Sequence, residues 1–340
     1  MQSPREYLLA RAGESGFRVA RLANVGPTPR FEAFKTWIAA GHHADMAWLG
    51  SRMDERSDPR HKLKSAKTAL VLAVEHHHER PADPGGRTGM VARYAWGRDY
   101  HNLVGKRLKK LGKALRADGH GAWGGVDMAP IVERAWAEAA GVGFVGKNTL
   151  VIAPGRTSWM VLAVMFVTLE AEPDRPIVRD HCGRCERCLV GCPTGAFVGP
   201  RVVDARRCIS YYTIEAADLA PRELLPGFGR WVFGCDVCQE VCPHNAGAPR
   251  SEEDDLLPRN AWLDLDELLA TSDEAVDARY LGTPLARPGA VGLKRNALVA
   301  LGNLHDRGAA PSVERGLAHP SPVVQAAAAW AAAQPTVQPS

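Results

Sequence analysis

Cysteine is missing from most of this 340-residue chain: all eight cysteines fall between Cys182 and Cys242. That clustering excludes a fold stapled throughout by disulfides. The N-terminus (MQSPREYLLARAGESGF) has neither an apolar signal segment nor a twin-arginine pair, which predicts a cytoplasmic protein with reduced thiols. Long apolar runs are missing too. The longest, Trp159 to Leu169 (WMVLAVMFVTL), is well short of the ~18 residues that span a bilayer and reads as a buried strand, so no membrane is expected as partner. Neither sign of charge dominates, since 42 Lys and Arg against 38 Asp and Glu leave +4, which permits an anionic partner without requiring one. With 46% apolar and 24% charged residues, the composition excludes wholesale disorder and fibrous repeats.

What is present is a ligand pattern. The spacing is Cys182-x2-Cys185-x2-Cys188-x3-Cys192-Pro193, then Cys208, then Cys235-x2-Cys238-x3-Cys242-Pro243. The first run is that of bacterial two-cluster ferredoxins, in which three closely spaced thiolates hold one cubane and the fourth crosses to the other. Applied here, the crossing rule gives one [4Fe-4S] cluster Cys182, Cys185, Cys188 and Cys242, and the other Cys192, Cys208, Cys235 and Cys238. Cys208 stands in for the missing first cysteine of the second run, because position 232 is Val. Two four-cysteine zinc sites are the competing reading, but the x2-x2-x3-Pro run is more specific than a pair of C-x2-C hooks. Cubanes pass single electrons inside a closed thiolate shell, so the chemistry must lie elsewhere, in the cysteine-free N-terminal region.

There, Lys67 to Val74 reads as a buried strand, followed by His76, His77 and His78. Neighbours on an extended chain point to opposite faces, which argues against three histidines sharing one ion. Leu103 to Ala117 has helical apolar spacing at 104, 108, 111 and 115 with a basic opposite face, and Ala129 to Ala140 reads as another helix. The segment Gly141 to Asn148 (GVGFVGKN) satisfies G-x-G-x-x-G and nearly satisfies the Walker A pattern. Both need a strand before and a helix after; here the order is reversed, which rejects nucleotide binding. Asp127 lies in an apolar stretch before the predicted helix, as a general acid or, on local sequence alone, more naturally as a helix N-cap. The RDYH run, Arg98 to His101, reads as an internal ion-pair and hydrogen-bond network.

Tyr94 to His101 (YAWGRDYH), Val126 to Asn148 and the cysteine run, in this order, closely resemble the epoxyqueuosine reductase family. The resemblance implies a cobalamin-dependent enzyme with two [4Fe-4S] clusters. It would reduce the epoxide of epoxyqueuosine at the tRNA wobble position, with Asp127 as proton donor. It also implies corrin contacts around Lys147, Asn148, Thr149 and Trp159, with Arg207 and Ser210 as weaker candidates. The implied fold is α+β in three units: a nitroreductase-like α/β cobalamin-binding domain (1–175), a ferredoxin-like two-cluster domain (176–250) and HEAT-like helices (251–340). Within the last unit, Arg295 to Asn303 and Gln325 to Ala333 recur at a helical-repeat offset. Basic residues there, Lys294 and Arg295 first among them, suit contact with tRNA phosphates, or equally the solvated charges of a capping helical pair. A flavodoxin or ferredoxin is expected as electron donor, and the chain as a monomer. Two other readings stay open at this point: a cobalamin-dependent reductive dehalogenase, and a non-enzymatic two-cluster electron carrier or RNA-binding adaptor.

Overall fold

The two runs that read as buried strands form the middle of the main sheet. In the computed structural model, which describes residues 2–177 and 181–335, β1 (Val19–Asn24), β2 (Thr68–Glu75), β3 (Ala122–Gly125) and β4 (Met160–Val167) are antiparallel in the order β1-β2-β4-β3. β2 and β4 pair along their whole length, from Thr68 opposite Val167 to Glu75 opposite Met160. Their Val- and Leu-rich sequences favour this extended, packed state. Alternation then sends successive side chains to opposite faces. Leu70 and Leu72 join one core with α1 (Pro4–Glu14) and α2 (Tyr100–Ala117), while Ala69 and Val71 join another with Trp136 of α3 (Glu133–Ala139).

Helix α2 begins where Asp99 accepts a hydrogen bond from the His101 amide. It buries Leu103, Val104, Leu108, Leu111 and Leu115 and leaves Lys106, Lys109, Lys110 and Lys113 exposed, as its periodicity predicts. Helix α3 starts later than its sequence suggests. Ala129 precedes Pro130, which disfavours helical backbone there, and Asp127 adopts φ 54°, so 126–130 form a bend instead. Asp127 is therefore no N-cap; Val132 occupies that position. After α3, Phe144–Val145 and Val151–Ile152 form a small hairpin, giving the helix-then-strand order that excluded a nucleotide loop.

The cysteine region contributes two short helices, Arg187–Val190 and Val237–Glu240, packed on each other. Strand Trp231–Phe233 pairs with Thr88–Val91, which also pairs with Trp262–Asp264. A continuous core runs from Val91 and Trp96 through Trp231–Phe233 into α4 (Gly289–Leu304), α5 (Ala310–Leu317) and α6 (Pro322–Ala332). This overturns the expectation of a phosphate-binding face at Lys294 and Arg295, which are only 4% and 2% exposed. Lys294 pairs with Asp273 at 2.6 Å, and Arg295 donates to the backbone carbonyls of Tyr212, Ala216, Ala217 and Asp218. Burial on α4 turned these cations inward to satisfy protein acceptors. Among the described residues, no helix is long and apolar enough to cross a membrane.

Candidate active site

β3 delivers the chain to the Asp127 bend. A Cβ added at Gly124 would lie 2.0 Å from the Val164 carbonyl oxygen, so only glycine lets β3 lie this close to β4 just before the turn. Beyond it the Asp127 side chain is 60% exposed. The picture of a carboxyl buried among apolar neighbours is therefore corrected. Tyr100 Oη donates to Asp127 Oδ2, and His101 Nε2 lies 3.7 Å from the same oxygen. The Tyr100 and His101 rings stack at 4.1 Å between centroids. Desolvation, with the Asp127 charge second, holds the Tyr100 phenol well above its ordinary pKa, so it stays a donor. Desolvation opposes charge on His101, but the Asp99 hydrogen bond and the carboxylates of Asp99 and Asp127 outweigh it and raise its pKa.

The desolvated carboxyl belongs to Glu133. Surrounding protein, and secondarily the Asp127 charge, push it up to about 8, and its Oε1 accepts the Asp127 amide at 3.1 Å. Next along the chain, Arg134 donates to Thr149 O at 2.8 Å and to Thr149 Oγ1 at 3.1 Å. Sequence reasoning missed Glu133 and Arg134, and assigned Tyr100 and His101 to a structural network. The signal lay in the spacing: Tyr100 and His101 open a helix behind an N-cap, so both emerge at its end, and Glu133 opens the helix after the Asp127 bend.

The eight cysteines gather in two groups of four. Cys182, Cys185, Cys188 and Cys242 line one cavity with Lys147, Asn148 and Ile152. Cys192, Cys208, Cys235 and Cys238 lie near enough for their charges to interact. Burial raises the Cys208 and Cys238 thiols in pKa, so they ionise readily only when a cation compensates. Backbone amides point at sulfur in both groups, Lys147 N to Cys182 Sγ at 3.4 Å and Ala196 N to Cys192 Sγ at 3.3 Å.

The remaining candidates are dispersed. Lys147 and Asn148 are buried, and Asn148 Nδ2 donates to the Cys238 carbonyl at 3.3 Å, so their hairpin touches both cysteine groups. Thr149, at φ 67°, turns toward Arg134 instead. The Trp159 ring is buried, stacked with His77, edge-on to His76 and covered by the Arg93 guanidinium at 4.6 Å. Arg207 Nε donates to Thr194 O at 3.1 Å, and Ser210 hydrogen-bonds Cys208, which places both beside the second cysteine group. Among the described residues, no group of three or more His, Cys, Asp or Glu, at His76, His77 and His78 or elsewhere, is drawn close enough to hold a single metal ion.

The family model for epoxyqueuosine reductase (QueG, DUF1730) matches residues 56–128. The curated epoxyqueuosine reductase of Synechococcus sp. (strain CC9605) is 39% identical over 306 residues, covering 87% of this chain and 94% of that protein. The chain belongs to the epoxyqueuosine reductase family. It is accordingly an oxidoreductase. The Pseudomonas aeruginosa epoxyqueuosine reductase is 39% identical over 85% of this chain and 82% of its own length. The family model of a 4Fe-4S double cluster binding domain matches residues 181–245, which contain every cysteine. Among solved epoxyqueuosine reductases, one bound to an epoxyqueuosine-modified tRNA-Tyr stem loop superposes with a TM-score of 0.89 at 30% identity, covering 96% of this chain and 88% of that one. A Bacillus subtilis epoxyqueuosine reductase with its catalytic loop swung out of the active site superposes with a TM-score of 0.85 at 30% identity, covering 96% and 89%.

Proposed function

We propose that this chain reduces the epoxide of epoxyqueuosine in a tRNA anticodon to the cyclopentene of queuosine, with two [4Fe-4S] clusters and cobalamin as cofactors. The observation that carries the reading is an accessible carboxyl, Asp127, gripped by Tyr100 and His101 on a protein whose eight cysteines form two groups of four. The cluster ligands are Cys182, Cys185, Cys188 and Cys242 for one cubane, and Cys192, Cys208, Cys235 and Cys238 for the other. This division follows both the crossing rule and the observed neighbours. When bound, cobalamin supplies a cobalt centre that accepts electrons singly and passes them to a carbon–oxygen bond.

Of the residues proposed to hold the corrin, Thr149 is half-buried beside the exposed Arg134, whereas Lys147, Asn148 and Trp159 have buried side chains and would reach a corrin only through backbone atoms. Arg207 and Ser210 hold the Cys192 and Cys208 loops instead. Removing the epoxide oxygen as water takes two electrons and two protons. Asp127 gives a proton to the departing oxygen, which otherwise leaves as a poor alkoxide. A positioned acid contributes ~100- to 10,000-fold. Tyr100 holds the carboxyl through its phenol hydrogen bond, and His101, kept protonated more readily by Asp99 and Asp127, passes a proton back to it from solvent.

The substrate-bearing tRNA lies across the accessible Asp127 bend; the kind of partner is supported by the likeness to a solved relative bound to an epoxyqueuosine-modified stem loop, and its place here by the exposure of Asp127. The electron donor is a flavodoxin- or ferredoxin-type carrier, and the protein works as a cytoplasmic monomer. Its three units are the sheet domain (1–175), the cysteine domain (176–250) and a HEAT-like helical unit (251–340).

The test is anaerobic reconstitution with iron, sulfide and cobalamin, addition of a strong reductant and epoxyqueuosine-containing tRNA, and mass analysis of the digested nucleosides. Loss of one oxygen, dependent on cobalamin, is the expected result. Asp127→Asn is expected to lower turnover at least ~100-fold while keeping both clusters and the corrin. Wild-type turnover in that variant would refute the acid assignment.

A further inference from the structure

Two residues of this chain hold a backbone conformation that L side chains rarely adopt and lie on the loops nearest the proposed chemistry. They are Asp127 at φ 54° and Thr149 at φ 67°. Both are tied to one turn of α3. Glu133 Oε1 accepts the Asp127 amide, and the next residue, Arg134, donates twice to Thr149. Both ties lie at the surface, Glu133 half-buried and Arg134 exposed, and what sets them apart is that adjacent residues of one helical turn hold both strained positions.

We propose that Glu133 and Arg134 are positioning residues: one helical turn clamps the acid-bearing bend and the 146–150 turn, fixing the distance between proton donor and cofactor loop. The inference rests on the reading of Asp127 as proton donor. A left-handed non-glycine residue relaxes unless its surroundings hold it, and α3, anchored through Trp136 in the core beneath the sheet, supplies a rigid mount. The charged groups around Glu133 are Asp127, Arg134 and Arg56. Near neutrality Glu133 keeps its proton, so it accepts the Asp127 amide as a neutral group. An amide can do the same, which separates Glu133→Gln from Glu133→Ala.

The experiment measures hydrogen exchange by mass spectrometry and steady-state turnover on the cluster-loaded protein. Glu133→Ala is expected to speed exchange at least tenfold in peptides covering 124–132 and to lower kcat at least tenfold, with KM changed less than twofold. Glu133→Gln should stay within threefold of wild type in both. Arg134→Gln should speed exchange across 146–150 and weaken cobalamin binding, read by the corrin absorbance, about tenfold without tRNA. Wild-type exchange at 124–132 in Glu133→Ala, or an equal loss in Glu133→Gln, would overturn the clamp whatever Asp127 does. If Asp127→Asn turned over normally while exchange still responded as expected, the clamp would stand and the acid assignment would fall.

Discussion

The exposed carboxyl of Asp127 is held in place by its neighbours. Tyr100 donates to it from a phenol that burial keeps protonated, so Tyr100→Phe, which preserves ring packing, should lower kcat about tenfold with little loss of thermal stability. Glu133 carries a stability signature of its own. Its folded pKa, about 8, lies above the ordinary 4.5 of a free glutamate, so its favourable contribution is complete below pH 4.5 and drains away as the pH rises toward 8. Glu133→Gln has no such titration. The difference in melting temperature, variant minus wild type, is therefore expected to grow from pH 5 to pH 8 and then level off; a constant difference would mean that Glu133 titrates normally. These residues also mark what the sequence could reveal. The eight thiols were legible because ligand spacing is local. The Tyr100–Asp127 and Glu133–Asp127 contacts were not, because each depends on how two helices meet the end of β3, and the pattern within either helix carries no information about that meeting.

At the scale of elements, periodicity predicted the faces of α2, where burial repeats about every 3.6 residues, and unbroken apolar runs predicted β2 and β4, which are buried on both faces over most of their length. It misplaced the start of α3, where a proline and a left-handed aspartate outweigh a helix-compatible composition. β3 was invisible as a strand because AWGG has little strand character; it exists because β4 offers an edge and Gly124 lets it approach. Gly124→Ala is accordingly expected to destabilise the fold by about 1–3 kcal/mol or more, read by denaturant unfolding, and to displace the Asp127 bend with it. A variant of wild-type stability would show that β3 can yield without cost.

Across the whole molecule, the C-terminal helices hold the cysteine region from behind. Arg295 satisfies four backbone carbonyls, and Asn296 donates to the carbonyls of Thr213 and Val232, binding α4 to the segments around Cys208 and Cys235. Arg295→Ala should therefore cost roughly 3 kcal/mol or more, since each stranded buried carbonyl costs ~1–3. The salt dependence of tRNA binding should not change, a result checked by titrations at several ionic strengths. The sequence suggested the opposite role because a basic residue in a repeat looks like a surface charge until its helix is placed. The two short helices of the cysteine region carry a different consequence. Arg187–Val190 joins Cys188 of one group to Cys192 of the other, and Val237–Glu240 joins Cys238 to Cys242 in the same way. Whichever cubane assembles first must set both helices, and in doing so it prepares the remaining thiols for the second. Iron loading is then an all-or-none event, and native mass spectrometry during reconstitution should find empty and doubly loaded protein with few molecules carrying a single cubane.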